Sequence, residues 1–263
     1  HSDIVTGKMA GINRGVPREL FRHTRPHATL DTTPLIDSLT PHKMFRKAFL
    51  DQHNLRFPEG RRRLEDHVFV TAAYFAARTI SVYSDYVCYY HISRDDRSNA
   101  GFQTIDWHAY FTNLREALDI VRDNTTPGHL RNHLYRRWAR VEMIARLRGR
   151  KLLSWPPESR VALLEEVRRT MADYFDPEVI APLPPQMRVV AALAADDRLD
   201  DLLALAEWEA RITVRPVLDD LRWEGGSLVA EWHSRHLAGD EPMRFRVGTG
   251  DDGTERILLD LPL

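Results

Sequence analysis

The 263 residues hold a single cysteine, no apolar run long enough to cross a bilayer and almost no net charge. Each absence excludes something. One thiol forms no internal disulfide and no zinc site of the multi-cysteine kind. Cys88 sits in the apolar run Val87-Cys88-Tyr89-Tyr90 and reads as a small buried hydrophobe. A spanning helix needs about 20 apolar residues, and no signal peptide opens the chain, so a reducing, cytoplasmic location is expected. With 37 Lys+Arg against 38 Asp+Glu, bulk charge gives no case for nucleic acid or an anionic surface. HExxH, GxSxG, paired Cys/His ligands and a Gly-rich phosphate loop are all missing, which argues against metalloprotease, α/β-hydrolase, zinc-module and P-loop NTPase readings. No repeat or low-complexity tract is found.

What is there divides in three. Residues 1–104 mix strands, helices and loops. Ile4 to Met9 is strand-like, Gly11 to Pro17 is a loop, and Thr40-Pro41 reads as the start of a helix through Met44, Phe45, Ala48 and Phe49. Leu64 to Ala77 reads as a second helix, with Leu64, Val68, Thr71, Ala72 and Phe75 at helical spacing. Thr79–Val82 and Tyr86–Tyr90 are strand candidates, and Ser93 to Gly101 is a polar loop. Residues 105–210 are helical: Trp107, Tyr110, Phe111, Leu114, Leu118 and Val121 form an amphipathic stripe, and Thr126-Pro127 and Pro156-Pro157 open further helices. From 211 to 263 the period falls to two, with Leu228, Ala230 and Trp232 alternating, then Met243, Phe245 and Val247. Glu224-Gly225-Gly226 and Asp252-Gly253 are hairpin signals. The fold class expected is α/β, then a helical linker region, then a small antiparallel β module.

The sharpest chemical feature is Glu65-Asp66, two carboxylates opening an apolar helix. Acidic residues are favoured there by the helix dipole alone. A base aimed into a cleft, its pKa raised by burial and a like charge, also uses this arrangement. A second feature runs from Tyr89-Tyr90-His91 into a loop with Arg94, Ser98 and Asn99, a composition suited to a diphosphate and equally to a solvated surface. Gly7-Lys8-Met9 with Arg14-Gly15-Val16-Pro17, and Ser38-Leu39-Thr40-Pro41-His42-Lys43, each place a lysine near a glycine or a helix start.

Taken in order from Asp3 to about Ala100, these segments resemble the GT-A family 2 glycosyltransferases. They are most similar to the poly(ribitol-phosphate) N-acetylglucosaminyltransferases that decorate wall teichoic acid. Phe57-Pro58-Glu59, Phe69 and Ile80-Ser81-Val82 belong to the same ordered set. The resemblance implies a partial GT-A domain (1–104), a helical linker domain (105–210) and a β-sandwich-like module (211–263). It implies Asp66 as the base that deprotonates an acceptor hydroxyl, with Glu65 beside it. Arg94, Ser98, Lys43 and His91 are implied for substrate or diphosphate binding. The reaction implied is inverting transfer from a UDP-sugar (UDP-GlcNAc among the candidates) to a cell-envelope polymer such as a polyol-phosphate, with Mn²⁺ or Mg²⁺ neutralising the departing diphosphate.

The family's nucleotide-binding half, with its DxD metal motif, is not in this sequence. The chain is therefore expected to be a fragment, inactive alone, whose metal ligands lie elsewhere. Partners expected are a nucleotide-sugar donor, a polymeric or glycan acceptor, the inner membrane face peripherally, and a second copy through the β module. The competing expectation is a non-catalytic polymer-binding or oligomerisation module derived from such an enzyme.

Overall fold

The computed structural model describes residues 2–60, 62–92, 105–250, 253–259 and 261. Two compact units are formed, His1–Met143 with Glu165–Arg188, and Ile144–Leu164 with Val189–Leu263. Arg94 and Ser98 lie outside the described residues.

In the first unit, strand β1 (Ile4–Ile12) runs parallel to β4 (Ile80–Ile92). The short strands β2 (Arg25–Ala28) and β3 (Met44–Phe45) pair antiparallel on the outer sides, giving the order β2-β4-β1-β3. Side chains alternate across a strand, so Ile4 and Thr6 are buried, but the next buried position is Met9. The register slips at Gly7/Lys8 and again at Lys8/Met9, and such a bulge moves the inward set by one. Gly7 is required at this slip: a Cβ there would stand 2.7 Å from the Cys88 side chain. The same irregularity corrects the expectation for Cys88, which is exposed, because β4 beyond Ser84 no longer keeps its inward phase.

Helix α1 spans Lys47–Gln52 and α2 spans Glu65–Ala76. The helix expected from Thr40-Pro41 starts only at Lys47, as α1, and keeps Ala48 and Phe49 but not Met44 and Phe45. Met44 and Phe45 pair instead with Val5 and Ile4, and an edge strand overrides the local helix-start signal. The buried face of α2 is also rotated from the expected one: His67, Val70, Thr71 and Tyr74 are buried, together with Phe69 and Ala73, while Val68, Ala72 and Phe75 are only partly covered.

Helix α3 (Trp107–Asn124) buries the whole expected stripe, plus Ala117. Its N-terminus is capped by Asp106, whose Oδ1 accepts from the Ala109 N–H at 3.1 Å. Helix α4 (His129–Trp138) follows and passes into a π-helical turn, Ala139–Met143. The C-terminal half of α6 (Pro157–Tyr174), with α7 (Pro177–Ile180), completes this unit; α5 (Gly149–Leu153) precedes it in the chain. Glu166 of α6 accepts from Arg115 of α3 at 2.6 Å, and Tyr174 donates to Asp119 at 2.6 Å.

In the second unit α5 packs on α9 (Leu199–Arg211), tied by Arg148 to Glu209; α8 (Pro185–Ala195) precedes α9. The chain then forms the antiparallel sheet β5 (Ile212–Glu224), β6 (Ser227–Ala238) and β7 (Glu241–Pro242). A separate pair follows, β8 (Phe245–Thr249) with β9 (Glu255–Leu259). The architecture is mixed α/β with a helical region and C-terminal antiparallel sheets. Among the described residues no helix is long and apolar enough to cross a membrane.

Candidate active site

Glu65 and Asp66 occupy the first turn of α2, where the peptide dipoles favour negative charge. The chain reaches that turn through strain. Leu64, the N-cap, holds φ 62 and ψ 20 and offers no side-chain cap. A left-handed residue with a Cβ costs on the order of 1–2 kcal/mol and persists where the surroundings over-determine it. The Asp66 side chain is 26% exposed, and its Oδ1 accepts from the His67 N–H at 2.9 Å. Burial, then the neighbouring Glu65 charge, push the Asp66 carboxyl up to about 6, against the opposing pull of the His67 N–H and the Arg137 guanidinium. A dipole effect alone would have lowered it, so the carboxyl is tuned in the direction a general base at neutral pH requires.

Lys43 is delivered by the loop before β3. Its Nζ donates to the Thr40 carbonyl at 2.5 Å and to Ser38 Oγ at 3.2 Å, and lies 5.6 Å from the centre of the Tyr74 ring. The Tyr74 hydroxyl donates to the Ser38 carbonyl at 2.9 Å, so α2 fastens the loop that carries the lysine. Burial pulls the ammonium down to about 7, partly offset by the charge of Asp66. The charge of Asp66 thus reaches Lys43, although burial and Glu65 dominate the shift of Asp66 itself.

A cleft of ≈ 580 Å³ is lined among others by Met9, Arg18, Ser38, His91, Arg137 and Arg140; Lys43, Glu65 and Asp66 do not line it, and their links to it are the Ser38 and Thr40 oxygens that Lys43 binds and the Arg137 charge that acts on Asp66. His91 is the penultimate residue of β4, and its ring centre is 5.6 Å from that of His42, which stacks on Tyr89 at 4.0 Å. His42 and His91 are both held below the usual histidine range, chiefly by burial. The structure thus gathers Met9, the Gly15–Pro17 loop, Ser38, Thr40 and His91 around one cleft, with Asp66 coupled to its wall through Arg137.

Sequence reasoning missed the contribution of α4 and the π turn. Arg137 is 11% exposed and donates to Glu142 at 2.8 Å; Tyr110 donates to the other Glu142 oxygen at 2.5 Å. Arg140 pairs with Asp37 at 2.6 Å at the cleft wall. Trp138 Nε1 donates to His67 Nδ1 at 3.3 Å. These residues sat inside an amphipathic pattern that fully accounted for them as helix. The extra residue of a π turn, a feature frequent at functional sites, leaves no sequence signal of its own.

Among the described residues no three His, Cys, Asp or Glu side chains gather to hold a metal ion. The described residues therefore do not by themselves fit a divalent cation.

Comparison with known proteins finds likeness to one group of glycosyltransferases. Residues 107–206 match the family described as the glycosyl transferase TarS linker domain. Among particular relatives, the chain is 42% identical over 96 residues to the poly(ribitol-phosphate) beta-N-acetylglucosaminyltransferase TarS of Staphylococcus aureus. It is 41% identical over 95 residues to a poly(ribitol-phosphate) beta-glucosyltransferase of Bacillus spizizenii. Each match covers 36% of this chain but only 17% and 15% of the relatives' own lengths. Among solved structures, S. aureus TarS 1-349 in complex with UDP-GlcNAc aligns over 89% of this chain and 65% of its own, with TM-score 0.64 and 22% identity. Longer S. aureus TarS aligns over 98% of this chain and 50% of its own, with TM-score 0.64 and 19% identity. At these identities the structural likeness establishes the fold.

Proposed function

We propose that this chain supplies the acceptor-side part of an inverting GT-A family 2 glycosyltransferase. The enzyme moves a sugar from a UDP-sugar to a hydroxyl of a cell-envelope polyol-phosphate polymer, at the cytoplasmic side of the membrane. Asp66 takes the proton of the acceptor hydroxyl, the oxygen attacks the anomeric carbon, the bond to the diphosphate breaks with inversion, and UDP leaves with the electron pair. The observation that carries this reading is the half-buried Asp66, its carboxyl pushed up to about 6, at the strained start of α2 and within reach of the charge of the cleft-lining Arg137. Its likeness to poly(ribitol-phosphate) glycosyltransferases supports the substrate class.

Arg18, Arg137 and Arg140 on the cleft wall suit a repeating phosphate, since a guanidinium meets two phosphate oxygens at once. Lys43 and His91 remain candidates for substrate contacts, as do Arg94 and Ser98 for the diphosphate. A divalent cation, Mn²⁺ or Mg²⁺, belongs to the reading for a complete enzyme. The reading also includes self-association through the β module, supported by its exposed apolar face (Leu218, Trp223, Leu228, Trp232).

The test is Asp66→Asn and Asp66→Ala in the complete protein, with donor affinity measured alongside transfer. Loss of transfer by about 10²–10⁴-fold with unchanged donor binding is the result expected for a general base. Full transfer in both folded variants would overturn the assignment and favour a non-catalytic polymer-binding module.

A further inference from the structure

We propose that Trp138 and His67 form a positioning pair for the base: the indole N–H holds His67 as a neutral ring protonated on Nε2, so that Asp66 faces an N–H dipole rather than a full positive charge. The proposal deepens, and rests on, the reading of Asp66 as general base.

Trp138 is fully buried and its Nε1 lies 3.3 Å from His67 Nδ1. An indole N–H can only donate, so Nδ1 must accept, and a neutral imidazole with an accepting Nδ1 carries its proton on Nε2. Nε2 is the atom that faces Asp66, 4.0 Å from Oδ1, with the His67 side chain 7% exposed. The His67 backbone N–H is already bound to the same Asp66 oxygen, which orients the carboxylate, while the indole N–H holds the ring. Protonating the ring would set an N–H on Nδ1 against the indole N–H. Trp138 is fully buried, so no solvent could take over as acceptor for either N–H, and the imidazolium is disfavoured.

The consequence concerns the base. An imidazolium 4 Å from Asp66 would pull its pKa down and weaken it, undoing what burial and Glu65 achieve. The other charged groups on Asp66 are Glu65, Lys43 and Arg137. Arg137 is itself balanced by Glu142. A donor-only side chain from α4 thus keeps a further cation from forming beside the base, and ties the helical region to the chemistry of α2.

The experiment is long-range ¹H–¹⁵N NMR of the histidine rings in this chain, with His67→Gln to identify the signal. The expected result is an Nε2–H tautomer that stays neutral down to at least pH 5.5, and in Trp138→Phe a ring of mixed tautomers titrating near the ordinary value of about 6.5. In the complete protein, Trp138→Phe should then add a second ionisation near 6.5 to the acid limb of kcat/KM, with donor KM unchanged. An Nδ1–H tautomer in the unaltered chain, or ordinary titration of His67 there, overturns the proposal without recourse to a variant. If instead the tautomer is as stated but Asp66→Asn transfers sugar normally, the base reading falls and the positioning role falls with it, while the Trp138–His67 hydrogen bond stands.

Discussion

Asp66 and Lys43 hold their protons in opposite ways, and the stability of the fold should record it. Asp66 is raised from 3.8 to about 6, so between those values the folded state binds more proton than the unfolded state, and stability falls as pH rises. Above about 6 the full cost remains, on the order of 3 kcal/mol from a shift of about two units. Asp66→Asn is therefore expected to be more stable than the parent at pH 7, by up to that amount, in urea denaturation; no gain would mean the carboxylate is not buried at a cost. Lys43 is lowered from 10.5 to about 7. From about 7 upward the unfolded state binds more proton, so stability rises with pH over that window, and Lys43→Met should flatten the rise. Glu142 carries the opposite kind of burial, satisfied by Arg137 and Tyr110. Glu142→Ala strands the Arg137 charge and is expected to cost about 3–5 kcal/mol, read as a lowered denaturation midpoint. At this scale the sequence shows the carboxylate pair and the lysine as candidates. It does not show their burial, because Glu65-Asp66 at a helix start has the same sequence whether it faces water or a cleft. The exposed Cys88 shows the same limit from the other side.

Elements were legible where one period dominated. The α3 stripe buries as its spacing predicts because its opposite face is charged, leaving one way to orient it. The segment EDHVFVTAAYFA of α2 is apolar nearly all round, so periodicity alone does not choose its buried face, and packing on the sheet and α3 does. Thr40-Pro41 carries a helix-start signal, yet pairing of Met44 and Phe45 with β1 wins. Leu64 is the element-scale feature most worth probing. Ala retains the cost of the left-handed backbone and Gly does not. Leu64→Gly is expected to be more stable than Leu64→Ala by about 1 kcal/mol, since both lose the same packing. Equal stabilities would remove strain from the account of how α2 is entered.

At the scale of the whole molecule, the three-part order of α/β, helical and β segments is readable from the change of hydrophobic period. The grouping of residues 165–188 with the first unit is not, since it depends on long-range packing. The β5–β6 hairpin pairs Leu218 with Trp232, Leu221 with Ala230 and Trp223 with Leu228, and a register shift between Leu218 and Asp220 keeps these on one face. Trp223 is 74% exposed and Trp232 63%, an apolar face of the kind that marks association. If a second copy covers it, sedimentation of this chain should show concentration-dependent association that Trp232→Glu abolishes; a monomer throughout would remove self-association from the proposed function.

The most direct measurement is the pH dependence of kcat/KM for sugar transfer by the complete protein, set beside Asp66→Asn. An acid limb with an apparent pKa near 6, lost together with the activity in Asp66→Asn, is the predicted result. An acid limb near the ordinary aspartate value of about 4, or a limb that survives in an active Asp66→Asn protein, would contradict the account.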